Sequence, residues 1–346
     1  MAEGKDASDL SEALEAVEQH LLGEAPTLTR VQVAEQAGVP IEVAQELWRL
    51  LGFAEQSDDA VAFTRADVQA LEHTHDLVNL GILSPDRQAA LVRTWGRSFA
   101  RLAEWQTTLL TDIALESDDP VAQITELASE VLPRVESLQS YVWRRHLASA
   151  SARLMAGDAA GSNTSRLAVV FVDIVGFTSR SKELGDSELV AWIEYFEAEC
   201  SGLVVDHAGR VIKNIGDEVL FVAEDVAGAA EAALTMTARG SDPDDDFPEV
   251  RAGIAYGDVV SRLGDVFGPT VNIASRLTSV ARPGSVLIDR GAHDALTGDT
   301  AEPDDADHGV REHGGLTFRR MRRTSVKGYS RLQSWVLRRT STKDPN

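Results

Sequence analysis

The sequence has a single cysteine, Cys200, so no internal disulfide can form, and this scarcity fits a reducing cytoplasm. It also lacks a long apolar run. The longest nearly unbroken one, Leu167 to Phe177, is too short to cross a bilayer and is interrupted by Asp173. The first residues, MAEGKDASDL, are polar and acidic and carry none of the pattern of a secretory signal. Positive charge is scarce: 33 Lys and Arg stand against 55 Asp and Glu, a net of −22. A field of that sign repels DNA and anionic membranes, so neither is expected as a partner. What is present is an ordinary globular composition, 43% hydrophobic and 25% charged, which excludes a disordered or fibrous chain. At about 100–200 residues per domain, 346 residues predict about two domains.

Charge is unevenly placed. Residues 1–150 carry 11 basic and 25 acidic side chains; the remaining 196 carry 22 and 30. Near the end, Arg319, Arg320, Arg322, Arg323, Lys327, Arg331, Arg338 and Arg339 make a locally basic stretch. Such a stretch calls for an anionic ligand, or for the chain's own acidic loops beside an outward strand face.

The first half reads as helices. Ser11 to Leu22 is a first helix, and Val31 to Ala37 with Ile41 to Leu50 forms a helix–turn–helix around Gly38 and Pro40. Arg65 to Asn79 follows, with Thr64 as N-cap and Gly81 as its close. Asp86 to Glu116 is long; Leu91, Trp95, Phe99, Leu102, Leu109 and Ile113 recur at three- and four-residue steps and predict one buried stripe. Val121 to Leu132 ends before Pro133, and Val135 to Met155 reads as amphipathic. GDAAGSNTS is small and polar, the best linker in the chain. The domains are therefore expected at 1–156 and 166–346, with 157–165 between them.

The second half changes pattern. Leu167 to Val172 is a buried strand, Asp186 to His207 a helix, and Val211 to Ile215 with Val219 to Val222 a hairpin turning at Gly216-Asp217. Val226 to Arg239 is an Ala-rich helix, SDPDDDFP an acidic loop and Arg251 to Tyr256 a strand. Thr270 to Ala281 is a helix, Val286 to Asp289 a strand and Thr297 to Gly315 a polar loop. Thr317 to Met321 and Gln333 to Arg338 close the series. The order β-α-β-β-α-β predicts a ferredoxin-like α+β plan.

Asp173 ends the first buried strand, in FVDIVGFTS, and a carboxylate after five apolar strand residues needs a partner. Asp217 lies in the hairpin turn, in IKNIGDEVLF. Two carboxylates at the ends of neighbouring strands can share divalent cations, and magnesium favours one or two carboxylates completed by substrate phosphates. Spacing alone leaves a turn Asp and a capping Asp as the other reading.

FVDIVGFTS, KNIGDEVLF and DVFGPTVNIASRL, in that order, resemble class III nucleotidyl cyclases over Leu167 to about Arg338. The resemblance implies an adenylyl cyclase that turns ATP into 3′,5′-cyclic AMP and pyrophosphate with two divalent cations, Mg²⁺ or Mn²⁺. It implies that Asp173, Asp217 and the backbone carbonyl of Ile174 bind the metals, and that Lys213 and Asp265 read adenine. Asn272 and Arg276 would orient the ribose and stabilise the transition state, and Lys327 would contact the triphosphate. A guanylyl cyclase carries Glu and Cys where this chain has Lys213 and Asp265. In the family the metal aspartates and the Asn–Arg pair of one site come from different chains, so a homodimer is implied. Between Gly257 and Asp265 this chain has only DVVSRLG, shorter than the arm of many relatives.

The helical half is similar to the autoregulatory domain of soluble mycobacterial adenylyl cyclases, through its helix order and VAEQAGVPIEVAQELWRLLGF. That segment also resembles a MerR-type helix–turn–helix, with AFTRADVQAL like its wing. Arg49 is its lone basic residue from Val31 to Leu51 against Glu35, Glu42 and Glu46, which argues against nucleic acid. Cys200 reads as a core residue, and the Arg144-Arg145-His146 cluster as a candidate proton-sensitive contact for Asp242 to Asp246. The alternatives kept beside the adenylyl cyclase are a guanylyl cyclase, an inactive cyclase-fold nucleotide sensor and a DNA-binding regulator.

Overall fold

The computed structural model describes residues 18–19, 21–80, 85–156, 164–299, 309–321, 324–326 and 329–340. The chain divides into two compact units, Met1–Gly157 and Asp158–Asn346.

The first unit is helical apart from a short antiparallel pair, β1 (Leu28–Thr29) and β2 (Val61–Phe63). Helices α1 (Arg30–Gln36) and α2 (Ile41–Leu51) form the expected helix–turn–helix. A capping box at Thr29 starts α1, and Gly52, at φ 83°, closes α2. Helix α3 (Arg65–Asn79) begins directly after Thr64, the expected N-cap position. Thr64 is fully buried, and its N–H and hydroxyl both donate to the Asp67 carboxylate, at 2.7 and 2.9 Å. Gly81 and most of Ser11 to Leu22 lie outside the described residues.

Helix α4 (Pro85–Leu115) corrects the buried-stripe expectation. Trp95, Phe99, Leu109 and Ile113 are exposed within this unit. The helix instead turns its small side inward, with Val92 buried and Gly96 against α2. A β-carbon at Gly96 would lie 2.3 Å from the Leu51 carbonyl oxygen, so glycine sets how closely the helices approach. Helix α5 (Pro120–Glu130) is followed by α6 (Leu132–Ala156), with Pro133 in the first turn of α6, where its missing N–H costs nothing. On helix α6, residues 141–153 are all exposed, so its apolar side chains Tyr141, Val142, Trp143 and Leu147 are uncovered within this unit.

In the second unit, β3 (Thr164–Ile174) starts inside the expected linker. It is followed by α7 (Phe177–Arg180), α8 (Asp186–Asp206), β4 (Arg210–Ile215), β5 (Glu218–Ala223), α9 (Val226–Arg239) and β6 (Val250–Arg262). These strands pair in the order β4-β5-β3-β6, all antiparallel, which is the ferredoxin-like arrangement. The chain continues through β7 (Asp265–Phe267), α10 (Pro269–Val280), β8 (Val286–Asp289), α11 (Arg290–Thr297), β9 (Val310–His313), β10 (Leu316–Arg320), β11 (Thr324–Val326), β12 (Tyr329–Leu332) and β13 (Ser334–Arg339). Strands β8, β13, β10 and β9 extend the sheet beyond β6, giving nine strands with β7 among the described residues. Strand β9 falls within the expected loop.

Alternation along β3 explains the layers. Ala168, Val170 and Val172 face one core with Phe196, Cys200 and Val204 of α8 and the alanines of α9. Leu167, Val169 and Phe171 face the other, with Ala274 of α10. Burial drives the Cys200 thiol far above its ordinary range, so it is an inert core group. Part of the basic tail pairs internally: Arg339 with Glu231 at 2.8 Å and Arg311 with Asp299 at 3.3 Å. In the acidic loop, Asp245 is already held by Arg239, which also binds Glu199 and Tyr195. That carboxylate is thus engaged inside its own unit.

Candidate active site

The site grows from the end of β3. Its apolar run brings Asp173 to the sheet's rim with a side chain only 15% exposed. A carboxylate so placed needs a counter-charge. Arg251, opposite it on β6, supplies one: Nε and Nη2 lie 2.7 and 2.6 Å from Oδ2 of Asp173. The β4–β5 turn delivers Asp217 to the same corner, and the Ile174 N–H donates to the Asp217 carbonyl at 3.2 Å. Gly216, at φ 65°, makes that turn possible.

Burial raises the Asp217 carboxyl above the ordinary carboxylate range, and the charge of Asp173 raises it further. Glu218, paired with Asp173 in the β3–β5 register, is pushed up to about 7, first by burial and then by the charges of Asp173 and Asp217. Arg251 and Glu218 were missed in the sequence. The signal for Glu218 was its place in GDE; for Arg251 it was a cation entering a strand between Val250 and Ala252, both fully buried.

The donor set fits divalent cations. Asp173 and Asp217 are hard oxygen donors, close enough that the charge of Asp173 raises the proton affinity of Asp217, and a cation relieves that repulsion. Among the described residues no three His, Cys, Asp or Glu side chains converge on a ready-made metal cage. The pair therefore needs completion by other oxygens, which the Ile174 carbonyl and a substrate's phosphates can supply.

A second constellation forms at the sheet's edge. A register shift in β4 between Val211 and Lys213 re-aims the Lys213 side chain. Its Nζ lies 2.5 Å from Oδ2 of Asp265, 52 residues away on β7. The pair is partly exposed, with Asp265 also accepting from the Val266 N–H at 2.8 Å. It offers one donor and one acceptor side by side. Asn272 and Arg276 stand four residues apart on α10, Asn272 exposed and Arg276 half-buried. No hydrogen bond or ion pair joins them to Asp173 or Asp217 among the described residues. Lys327 lies outside the described residues. The hairpin from β6 to β7 turns at Leu263-Gly264 and is short, as the sequence indicated.

Residues 160–339 match the family described as adenylate and guanylate cyclase catalytic domain, and residues 3–142 match the adenylate cyclase regulatory domain. An adenylate cyclase of Streptomyces coelicolor is 42% identical over 274 residues, covering 78% of this chain and 71% of that protein. One of Glutamicibacter nicotianae is 34% identical over 342 residues, covering 93% and 81%. A pH-sensitive adenylate cyclase of Mycobacterium tuberculosis is 34% identical over 305 residues, covering 83% and 74%. Among solved structures, the adenylate/guanylate cyclase/hydrolase of Silicibacter pomeroyi is similar at 24% identity and a TM-score of 0.40, covering 52% of this chain and 100% of that one. No described helix is long and apolar enough to cross a membrane.

Proposed function

The chain belongs to the family of adenylate and guanylate cyclase catalytic domains, as an adenylate cyclase with its regulatory domain in front, and from that premise we propose how its residues act. The substrate is ATP, and the products are 3′,5′-cyclic AMP and pyrophosphate. Two divalent cations, Mg²⁺ or Mn²⁺, would lower the pKa of the attacking ribose 3′-hydroxyl and neutralise the triphosphate. Asp173, Asp217 and the Ile174 carbonyl would hold them. Arg251 adds a fixed positive charge to that corner.

The observation that carries the choice of base is the Lys213–Asp265 contact at 2.5 Å. An ammonium donor beside a carboxylate acceptor complements adenine's N1 and 6-amino group. Guanine reverses that pattern and would leave polar groups unpaired, which is the source of strong discrimination. Asn272 orients the ribose, and Arg276 sets a guanidinium where charge grows on the α-phosphoryl oxygens. Lys327 contacts the triphosphate.

We place the two halves of each site on different chains of a two-fold homodimer. Lys213 and Asp217 share one hairpin yet serve two sites, and a monomer is inactive. Residues 1–156 form the regulatory and dimerisation domain, and the catalytic domain begins with β3 at Thr164, which shortens the linker expected at 157–165. The exposed apolar faces of α4 and α6 support a dimerising role for the first unit. An ATP substrate and one buried thiol favour a cytoplasmic setting. The test is direct: purified protein is given ATP or GTP with Mg²⁺ or Mn²⁺ and scored for cyclic product. Cyclic AMP from ATP, with little cyclic GMP, is expected; equal turnover of GTP overturns the base assignment.

A further inference from the structure

We propose that Thr270 is a positioning residue for this reaction: its hydroxyl fixes the start of α10 to β6, and so registers Asn272 and Arg276 with the base-reading Asp265. The proposal rests on the reading of those three residues given above. Thr270 is only 7% exposed, although it lies in the first turn of a helix whose Asn272 faces solvent. A buried hydroxyl requires a partner. Here Oγ1 donates to the carbonyl oxygen of Asp258 on β6 at 2.8 Å.

The start of α10 packs Val271 and Ile273 on the sheet but has no side-chain cap. Gly268 precedes the helix at φ 137° and offers no side-chain cap, and Pro269 brings no N–H. The tie provided by Thr270 is therefore sideways, from helix to sheet. Asp258 enters the β6–β7 hairpin that returns to Asp265, with Arg262 and Asp265 paired at its end. This hydrogen bond thus ties the start of α10 to β6, the strand that pairs with the β7 segment bearing Asp265. At the far end of α10, Thr278 is a weaker anchor. Its hydroxyl lies 3.0 Å from the helix's own Ala274 carbonyl and 3.3 Å from that of Phe171. The space for the Thr270 hydroxyl is made by a glycine. A β-carbon at Gly257 would stand 2.9 Å from Oγ1.

In-line attack tolerates little displacement, and a shift of about 1 Å can cost up to about a hundredfold in rate. A hydroxyl that served the fold alone would matter equally wherever it was removed. Mixed dimers separate the two roles. Asp173→Ala mixed with Arg276→Ala leaves one working site, which takes its metal carboxylates from the Arg276→Ala chain and its α10 from the Asp173→Ala chain. Thr270→Val, close in shape but without the donor, is then placed on either chain.

On the Asp173→Ala chain it is expected to lower kcat about tenfold, with KM for ATP changed less than about twofold. On the Arg276→Ala chain it leaves the mixture's activity unchanged, because that α10 sits in the dead site. Thr270→Ser, which keeps the donor, retains activity on either chain, and Gly257→Ala on the Asp173→Ala chain lowers kcat as Thr270→Val does. Equal losses from Thr270→Val on both chains, or no loss on either, overturn the positioning role while leaving the shared site standing. A parent mixture without activity, although mixed dimers form, overturns the shared-site reading and the positioning role with it. Should Thr270→Val fail to fold, Gly257→Ala on each chain decides by the same comparison.

Discussion

Phe196, Phe221 and Phe318 of the second unit are fully buried, whereas Trp95, Phe99, Trp105 and Trp143 of the first are between 42% and 59% exposed. Both units carry regular helices with ordinary caps, so secondary structure does not make the difference. It lies in what the elements face. Strand β3 has a covered layer on each side, α8 and α9 on one and α10 on the other, and every side chain from Leu167 to Val172 is buried. Helices α4 and α6 have large apolar residues on faces that nothing within their own unit covers. A contiguous exposed apolar face of this kind marks an interaction surface. The second unit thus covers its large aromatic residues by itself, whereas the first leaves the apolar residues of two helices uncovered.

The sharpest way to probe that contrast is to strike the chemistry and leave the packing. Asp173→Ala or Asp217→Ala should abolish cyclase turnover, a loss on the order of a thousandfold or more, with the melting transition preserved. Either variant keeping most of its kcat removes the metal assignment. Changing Lys213 to Glu together with Asp265 to Cys should next erode the preference for ATP over GTP by roughly 10²-fold or more, read as the ratio of kcat/KM values. An unaltered ratio takes these two side chains out of base recognition.

The opposite experiment strikes the uncovered faces. Trp95→Glu with Phe99→Glu should leave the helical signal of the chain intact but weaken dimers by at least about tenfold, measured by sedimentation equilibrium. Unchanged self-association would mean that another surface holds the chains together. The smallest effect concerns the second unit's stability. Asp289 is almost fully buried, accepting N–H donors from Tyr256 at 3.1 Å and Ala292 at 2.8 Å, and burial pushes its carboxyl up to about 6. A folded value above the unfolded one means the native state holds the proton more tightly. On this group's account stability is greatest below about pH 4 and falls as pH rises to about 6. Asp289→Asn should flatten that slope in Tm against pH, and a slope identical to the parent's would refute the raised value.

The contrast also explains what could be read without a structure. Arg65–Asn79, Val226–Arg239 and Val286–Asp289 were placed to the residue, because caps and periodicity are local signals. The stripe on α4 was equally visible, but periodicity says that a face wants cover, not which element supplies it. Strand β9, VREH, escaped because it is exposed along its whole length at the sheet's edge and shows no inward alternation. In the site, Asp173 announced itself as a charge ending an apolar run. Its partner Arg251, 78 residues on, could only be found once β3 and β6 lay side by side. The Lys213–Asp265 pair, 52 residues apart on β4 and β7, was legible only through the family resemblance, not through spacing.

The sealed thiol of Cys200 has a practical consequence. Because the chain's one cysteine is buried in the α8 core and resists ionisation, thiol reagents find nothing to react with on the native protein. A cysteine introduced at an exposed position of α6, at Ala148 for example, would be the sole site taking a maleimide dye or a nitroxide. The wild-type background is in that sense already prepared for site-specific labelling, with no native residue to remove first.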